Sequence, residues 1–374
     1  MAGGFSLADQ LFNAQKVGVL AGLVEGAAPG FDAGAFQAAV MARLPDLELK
    51  ARINWIADCL DAALPGDFET LAGVIIAALP APCDPTLSDD DFGDFIFAPL
   101  GELVVRRGMD RPERALDVLE QVTQRFSMEY AIRPFLNAHE EVVFARLQAW
   151  CSHDHYHVRR LVSEGTRPKL PWGMKISPAA ERALPLLDRL HGDRTRFVTR
   201  SVANHLNDLS KAMPGAVMDR LEDWQKAGWQ QAGELAWMHR HALRTLIKDG
   251  DARALAMLGY RAEAPVRLTR LALDRAEVAV GDQIRFDLVL EADQDCPVLV
   301  DYILQFHRGA GLVPRRKVMK LGQGMVGSDR PLRMTKRYRV PKDATTVKIV
   351  PGPHRIDVQV NGRVLDGVDF EVTG

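Results

Sequence analysis

The segment His153-Asp154-His155-Tyr156-His157 concentrates imidazole and carboxylate groups, which are common metal ligands in proteins. Alternate spacing in a short loop lets only about two or three of these groups converge on one ion. No second Cys or His cluster accompanies them, and the four cysteines share no metal-like spacing. The chain also contains neither a P-loop nor a glycine-rich dinucleotide loop. We therefore expect no metal and no nucleotide cofactor.

A second chemical pattern is a register of charged side chains spaced by 40 residues. Arg160, Arg200 and Arg240 occupy the same place in three similar segments, and 40 residues is the length of a two-helix HEAT-type repeat. Polar residues continue at every fourth position: Arg160 and Glu164; Arg200, Asn204 and Asp208; Arg240, Arg244 and Lys248. Because residues i and i+4 share one helix face, stacked repeats would place these charged stripes side by side.

The residue types alone leave the roles of these side chains open. Glu164 follows Arg160 by four residues, and such pairs usually lie on a solvated helix face. Asp208 precedes a loop at Met213-Pro214-Gly215 and could be an ordinary helix-end acid. Trp172, which follows a proline, could simply cover a loop.

The elements that carry these residues follow from hydrophobic periodicity. From Leu7 to about Leu258, apolar residues recur at spacings of three and four, which predicts helices. After Ala262 the pattern changes to alternation of apolar and other residues, as at Ile284, Phe286 and Leu288, which predicts short strands. The pair Asn361-Gly362 predicts a hairpin turn. The predicted fold is mainly α, with a HEAT-like α-solenoid over residues 1–262 and a small immunoglobulin-like β-sandwich over 263–374.

Composition and charge restrict the class of protein. With 374 residues, 47% apolar and 26% charged, the chain is predicted to be globular and soluble. No apolar run is long enough to span a membrane, and the N-terminus does not resemble a secretory signal, so a cytoplasmic protein with reduced thiols is expected. Residues 1–128 are acidic, with 9 basic and 19 acidic residues. The rest of the chain is basic, with 20 basic and 16 acidic residues over 129–263 and 18 basic and 14 acidic over 264–374. The last two regions could therefore bind a polyanion.

Several stretches resemble a known family. They read EYAIRPF at 129–135, VRR at 158–160, SEGTRP at 163–168, LPW at 170–172, SVANHLND at 201–208 and FGDFIFAPLG at 92–101. Together they resemble the AlkC/AlkD superfamily of alkylpurine DNA glycosylases, and the AlkC branch in particular, one subgroup of which carries a C-terminal immunoglobulin-like domain. The resemblance implies a solenoid that wraps and sharply bends duplex DNA and hydrolyses the N-glycosidic bond of cationic N-methylated bases, 3-methyladenine and 3-methylcytosine.

The resemblance also implies site residues. A methylated base already carries positive charge, so it can leave without a general acid, and the enzyme needs only to stabilise the sugar cation and orient water. On this basis Asp208 is the expected sugar-facing carboxylate and water activator. Glu164 and Glu129 are expected to contact the lesion or polarise the water. Trp172 is expected to pack against the deoxyribose or the base.

Basic residues of both regions are predicted to contact the DNA backbone. In the helical region these are Arg159, Arg160, Arg167, Lys169, Lys175, Arg200, Lys211, Arg240, Arg244 and Lys248, of which Lys175 and Lys211 are secondary candidates. The β domain has twelve basic and two acidic residues between His307 and Lys348. Those chosen as DNA contacts are Arg315, Arg316, Lys317, Lys336 and Arg337, although a solubilising face is the alternative. We expect this domain to hold DNA opposite the solenoid and to enter the minor groove with Arg or His.

The sequence thus predicts a monofunctional, cofactor-free DNA glycosylase that acts as a monomer on duplex DNA containing N-methylated bases, without a membrane partner. The alternative is a HEAT-like scaffold that binds DNA or protein without catalysis. The sequence does not rank the methylated bases as substrates.

Overall fold

The computed structural model describes residues 6–87, 89, 92–309, 311–342 and 349–374, so Lys348 of the predicted basic stretch lies outside the described residues. The chain divides into two compact units, Met1–Ala242 and Leu243–Gly374. The predicted boundary at 262/263 falls within the second unit, after its two short helices and just before its first strand. Among the described helices, none has the length and apolar character needed to cross a membrane.

The first unit is built from helices, with two longer connecting segments between α5 and α6 and between α10 and α11. Its helices are α1 Leu7–Leu11, α2 Ala14–Ala27, α3 Ala33–Met41, α4 Leu49–Ala63, α5 Phe68–Ala78, α6 Ala98–Gly108, α7 Pro112–Thr123, α8 Ile132–Ala138, α9 Glu140–Trp150, α10 Tyr156–Gly165, α11 Leu184–Leu190, α12 Arg196–Leu209, α13 Pro214–Ala227 and α14 Ala232–Ala242. Three short 3-10 helices lie at Leu44–Asp46, Phe95–Phe97 and Ala180–Ala183.

Local sequence explains where many of these helices begin and end. The side chains of Asn13 and Asp67 accept hydrogen bonds from the backbone N–H groups of Lys16 (3.1 Å) and Thr70 (2.9 Å), which satisfies first-turn donors of α2 and α5. Helix α13 begins at a proline, whose missing N–H costs nothing there, and ends at Gly228 in the left-handed conformation.

The 40-residue register corresponds to three helices that pack side by side in the order α10, α12, α14. Their facing side chains are joined across the repeat: the Thr199 hydroxyl donates to Glu234 (2.5 Å), and His241 Nε2 hydrogen-bonds Asn204 Oδ1 (2.8 Å). Apolar positions of these helices are fully buried, as at Leu161, Val202 and Met238. The predicted stripes of Arg160 and Glu164 on α10 and of Arg200, Asn204 and Asp208 on α12 therefore lie on neighbouring helices. The third predicted stripe is wrong, because α14 ends at Ala242 and a separate helix, Arg244–Asp249, carries Arg244 and Lys248.

The second unit begins with α15 Arg244–Asp249 and α16 Ala252–Met257 and continues as a β-sandwich. Its strands are β1 Val266–Leu273, β2 Glu277–Ala279, β3 Gln283–Ala292, β4 Cys296–Phe306, β5 Arg315–Val326, β6 Leu332–Arg339, β7 Gly352–Val360 and β8 Arg363–Thr373. One sheet has the order β1-β3-β6 and the other β2-β8-β7-β4-β5, and all paired strands are antiparallel except β2 and β8. The fold class predicted from the sequence, helical repeats followed by an immunoglobulin-like domain, is confirmed.

The predicted hairpin joins β7 to β8 through Asn361 and Gly362. Both residues have positive φ angles, 46° and 81°, as a two-residue type I′ turn requires. Asn361 is buried, and its amide donates to the backbone oxygens of Arg261 (2.9 Å) and Pro297 (3.2 Å). The turn is therefore tied into the body of the second unit.

Candidate functional site

Three carboxylates and two guanidinium groups alternate along a continuous chain of contacts in the first unit. Arg160 Nη1 donates to Glu129 Oε2 (2.9 Å), and its Nη2 lies 3.7 Å from Glu164 Oε2. Arg167 Nη1 donates to Glu164 Oε1 (2.5 Å), and its Nε donates to Asp208 Oδ2 (2.9 Å). We call Glu129, Arg160, Glu164, Arg167 and Asp208 the acid cluster. It brings together the three acids predicted from the resemblance.

Separate elements carry the members of the acid cluster. Arg160 and Glu164 lie one turn apart on α10, and Asp208 lies in the last turn of α12. Glu129 precedes α8, in a turn where the Ser127 hydroxyl donates to its Oε2 (2.8 Å). Arg167 belongs to the segment that follows α10. The packing of α10 on α12 is what brings the acids together.

Glu164 is the most buried member of the cluster, with a side chain 6% exposed. Both of its oxygens are occupied, because the Ser201 hydroxyl donates to Oε2 (2.6 Å) while Arg167 occupies Oε1. Burial by itself raises the pKa of Glu164, but Arg160, Arg167 and the Ser201 hydrogen bond outweigh it and hold that pKa below its ordinary value. Glu164 is therefore an ionised group at neutral pH.

Asp208 and Glu129 differ from Glu164 in having one oxygen each without a partner. Within the described part of the chain, Asp208 accepts only from Arg167, through Oδ2. Glu129 accepts through Oε2 alone, from Ser127 and Arg160. A carboxylate with a free oxygen can bind a water molecule or a developing positive charge. The five side chains carry one more negative than positive charge, which the nearby buried Arg133 guanidinium offsets, so the feature that suits a cationic transition state is the pair of free carboxylate oxygens.

Trp172 is presented to solvent by a strained backbone. Its φ angle is 62°, a left-handed value unusual for a bulky residue, and its side chain is 74% exposed. The preceding residue is anchored, because the Tyr130 hydroxyl donates to the Pro171 carbonyl (3.2 Å). Burial and the nearby Glu129 and Glu164 raise the pKa of Tyr130 to about 12, so the hydroxyl keeps its proton. The exposure favours a ligand contact over the loop-covering role.

Arg133 holds the segment between Arg167 and Trp172. Only 1% exposed, it donates through Nη1 to the carbonyls of Gly165 and Arg167 (both 2.9 Å) and through Nε to that of Met174 (2.6 Å). Sequence reasoning did not assign Arg133 a role, because its partners are backbone carbonyls more than 30 residues away. The available signal in the sequence was that Arg133 belongs to the EYAIRPF stretch, which resembles the family.

His205 is a second residue that sequence reasoning missed. It is completely buried on α12, and its Nδ1 hydrogen-bonds the Ser163 carbonyl (3.0 Å), beside Glu164. Burial, with a further contribution from Arg167, lowers the pKa of His205 to about 3, so the ring is neutral and Nδ1 is the donor. The histidine links α10 to α12 without adding charge to the cluster.

The histidines of the segment 153–157 act locally as hydrogen-bonding groups. His155 precedes α10, and its Nδ1 accepts from the His157 backbone N–H (3.2 Å), while Nε2 donates to the Cys83 carbonyl (2.9 Å). Burial lowers the pKa of His155, so a neutral ring fits this arrangement. No group of three or more potential metal ligands occurs within the described ranges.

Four of the arginines predicted to contact phosphates are held in ion pairs. Arg159 is buried, bound to Asp193 (2.5 and 3.1 Å) and to the carbonyls of His153 and Asp154 (2.7 and 2.8 Å). Its position favours a structural role over the predicted DNA contact. Arg160 and Arg167 belong to the acid cluster, and Arg200 pairs with Asp89. All three guanidinium groups are therefore paired with carboxylates, Arg160 and Arg167 within the acid cluster and Arg200 at Asp89.

The remaining predicted contacts lie on the surfaces of the two units. In the first unit Lys169 and Arg240 are exposed. In the second, Lys248, Arg315, Arg316, Lys317 and Arg337 are exposed, whereas Arg244 and Lys336 are half-buried. Arg337 lies directly opposite Arg285 in the β3–β6 pairing. Like charges facing each other across a sheet are unfavourable, and here Arg285 is compensated by Asp287, whose Oδ2 lies 3.3 Å from its Nε.

Three comparisons with known proteins bear on this site. Residues 267–374 match the sequence profile of a family described as the C-terminal Ig-like domain of the uncharacterised protein YhaZ. The chain is 32% identical to the uncharacterised protein YhaZ of Bacillus subtilis (strain 168), over 97% of this chain and 98% of that protein. Its structure is similar to that of the Pseudomonas fluorescens alkylpurine DNA glycosylase AlkC bound to DNA containing an abasic-site analogue. The TM-score is 0.87 and the identity 31%, with 99% of this chain and 100% of the other covered.

Proposed function

We propose, since this chain belongs to the AlkC branch of the AlkC/AlkD superfamily of alkylpurine DNA glycosylases, that it releases cationic N-methylated bases from duplex DNA. The substrates are 3-methyladenine and 3-methylcytosine, and the reaction is a monofunctional hydrolysis that needs no cofactor. The observation that carries the proposal is the acid cluster, in which three carboxylates share two guanidinium groups and two of them keep a free oxygen.

In the proposed reaction the C1′–N bond breaks and its electron pair neutralises the positive charge of the methylated base, so no acid has to protonate the leaving group. The sugar becomes an oxocarbenium-like cation, which the negative charge of the cluster stabilises. The oxygen of a water molecule then bonds to C1′, and Asp208 takes the proton of that water through its free Oδ1. Glu129 contacts the lesion or orients the water through its own free oxygen.

Glu164 acts through its charge and through its partners in this scheme. Both of its oxygens are occupied by Arg167 and Ser201, so it is less suited than Asp208 to hold water directly. Its buried negative charge lies between the two guanidinium groups and fixes their orientation. Trp172 supplies an exposed aromatic face for the base or the deoxyribose.

In the proposed monofunctional reaction a water molecule, activated by Asp208, is the group that attacks C1′. Exposed Lys169 and Arg240, with the basic residues of β5 and β6, are proposed to hold the DNA backbone.

The test is release of free methylated bases from duplex DNA treated with a methylating agent, resolved by chromatography. Wild-type protein is expected to release them, and strand breakage should require later alkali. The Asp208→Asn variant should release them at least about 100-fold more slowly while binding DNA normally, because only the proton acceptor is lost. Asp223→Asn, which changes an exposed carboxylate of α13, is the matched control and should be fully active.

The outcomes separate the two candidate functions. DNA binding by the wild type without base release would refute the glycosylase proposal and favour the non-catalytic scaffold. Base release that persists in Asp208→Asn would leave the enzyme standing but would overturn the role given to that carboxylate.

A further inference from the structure

An exposed aromatic ring lies one side chain away from the acid cluster, at Phe92. The Phe92 ring meets Phe197 edge-on, with 5.2 Å between centroids and 85° between planes. Phe197 is buried, and the Arg160 guanidinium lies 4.4 Å from its ring centroid. Phe92 itself remains 54% exposed. It therefore extends the surface of the cluster beyond the residues assigned above.

The backbone next to Phe92 is anchored. Gly93 has a φ angle of 73° and forms a bridge with Phe126, and the Asp94 N–H donates to the Arg125 carbonyl (3.0 Å). A Cβ added to Gly93 would lie only 1.8 Å from the Arg125 oxygen, so glycine is required there. This close approach holds the chain beside Phe92 against the helical body. The exposed ring is thus presented from a fixed position.

The surroundings of Phe92 combine π surfaces with an ion pair. The Arg200 guanidinium lies 5.8 Å from the centroids of both Phe92 and Phe197 and pairs with Asp89. Because that pair neutralises Arg200, the feature suited to an unpaired base is the exposed aromatic face, on which a base can stack. A ring that only covered the core would bury more of its own area.

Trp172 and Phe92 are linked to the acid cluster through different neighbours. Phe92 connects through Phe197 to Arg160, whereas Pro171, which precedes Trp172, accepts a hydrogen bond from Tyr130, next to Glu129. Both rings are exposed and both depend on unusual backbone geometry, at Gly93 in one case and at Trp172 itself in the other. Together they provide two aromatic surfaces beside one set of carboxylates.

We propose that Phe92 is a second aromatic contact to DNA, which stacks on a base unpaired or exposed at the lesion. This inference rests on the proposed function, because it presumes that duplex DNA with a methylated base or an abasic site occupies the acid cluster. The stacking adds affinity for a disrupted duplex, in which a base face is accessible, and little for an intact one. Phe92 is thus a positioning residue, which holds the DNA while the carboxylates act.

The test compares wild type, Phe92→Ala, Phe92→Leu and Phe92→Trp for binding to two duplexes, one intact and one carrying an abasic-site analogue. Phe92→Ala and Phe92→Leu are expected to bind the abasic duplex about tenfold more weakly and the intact duplex within about twofold of wild type. Phe92→Trp should retain wild-type affinity, because it keeps an aromatic face. The slope of binding against salt should be the same in all four proteins, because stacking involves no counterion release.

Phe92→Leu guards against a folding artefact, since leucine keeps an apolar contact with Phe197 and its thermal unfolding should match wild type. Trp229, which is 70% exposed and lies outside the acid cluster, provides the control for loss of an exposed aromatic ring. Trp229→Ala should bind both duplexes as wild type does. Equal affinities of wild type and Phe92→Leu for the abasic duplex would overturn the proposal. So would an equal loss for both duplexes. Failure of the wild type to release methylated bases would instead count against the proposed function.

Discussion

At the scale of single residues, the site depends on how charges are shared. Arg167 is the member of the acid cluster that donates hydrogen bonds to two carboxylates, to Glu164 through Nη1 and to Asp208 through Nε. Its side chain is 11% exposed, so these contacts are poorly screened by water. The guanidinium therefore acts mainly as a bridge that allows two acids to stay ionised close together, rather than as a free phosphate ligand.

Replacing Arg167 with glutamine should shift the pH profile of the base-release rate, so that the rate begins to fall at a higher pH on the acid side. Arg167 is one of the groups that lower the pKa of Glu164, so its loss raises that pKa. In the wild type, the stability contributed by ionised Glu164 is present above its ordinary pKa and is lost as pH falls through its depressed pKa. In the variant this loss starts at higher pH. Removing one partner of a buried pair should also cost about 3 kcal/mol of stability.

The measurement is single-turnover base release across the acid range, together with thermal unfolding at each pH. Arg167→Lys keeps a positive charge and should have an acid limb closer to that of wild type. An unchanged acid limb in Arg167→Gln would show that Glu164 ionisation does not limit the reaction.

At the scale of elements, strand β4 carries a carboxyl group in an unfavourable place. Asp301 is only 4% exposed, and burial raises its pKa to about 6, although Lys248 and Lys320 oppose this rise. A folded pKa above the ordinary 3.8 means that the fold prefers the protonated form. Protonated Asp301 should therefore contribute its full stabilisation of the second unit below about pH 4. That contribution should be lost as the pH rises through 6.

Asp301→Asn should therefore stabilise the second unit at pH 8, by roughly 1 to 3 kcal/mol, and make no difference at pH 4. Asparagine has a similar shape and remains neutral throughout. Thermal unfolding of the full chain at the two pH values measures the effect. Asp366→Asn, an exposed carboxylate on β8, is the control and should change neither value. A difference between Asp301→Asn and wild type that does not depend on pH would contradict the buried-charge explanation.

At the scale of the whole molecule, the chain carries a net charge of -2, yet basic residues are concentrated after residue 128. DNA binding by such a protein depends on the exposed cations rather than on their total number. Arg240 on α14 is exposed, whereas Arg159 on α10 is buried against Asp193. Two arginines with the same predicted role thus occupy different environments.

Alanine substitution of these two arginines should affect different properties, DNA binding for Arg240 and stability for Arg159. Arg240→Ala should reduce the slope of log Kobs against log salt by about 1 and leave thermal stability unchanged. Arg159→Ala should leave the slope unchanged and lower stability by about 3 kcal/mol, because Asp193 would stay buried without its partner. Affinity for duplex DNA measured at several salt concentrations, with unfolding in parallel, tests both. A reduced slope in Arg159→Ala would restore that residue to the DNA contacts.

The amino-acid sequence was sufficient to predict the local elements and their repetition. Helical periodicity, strand alternation and the Asn361-Gly362 turn depend on neighbours in the chain, and these local preferences agree with the fold. The spacing of Arg160 and Arg200 likewise predicted that α10 and α12 would lie side by side, because a repeat stacks in register. The fold class followed from such patterns, whereas the family was identified from the resemblance of whole sequence stretches such as SVANHLND at 201–208.

Tertiary structure decided which charged side chains meet. Asp208, which accepts from Arg167, and Asp193, which accepts from Arg159, lie 41 and 34 residues away along the chain. No periodicity distinguishes a guanidinium facing such a carboxylate from one facing water. The free oxygen of Asp208, the buried Arg133 and the exposed ring of Phe92 likewise depend on distances between packed elements. Electrostatics and exposure act through space, so these features appear only once the helices are packed together.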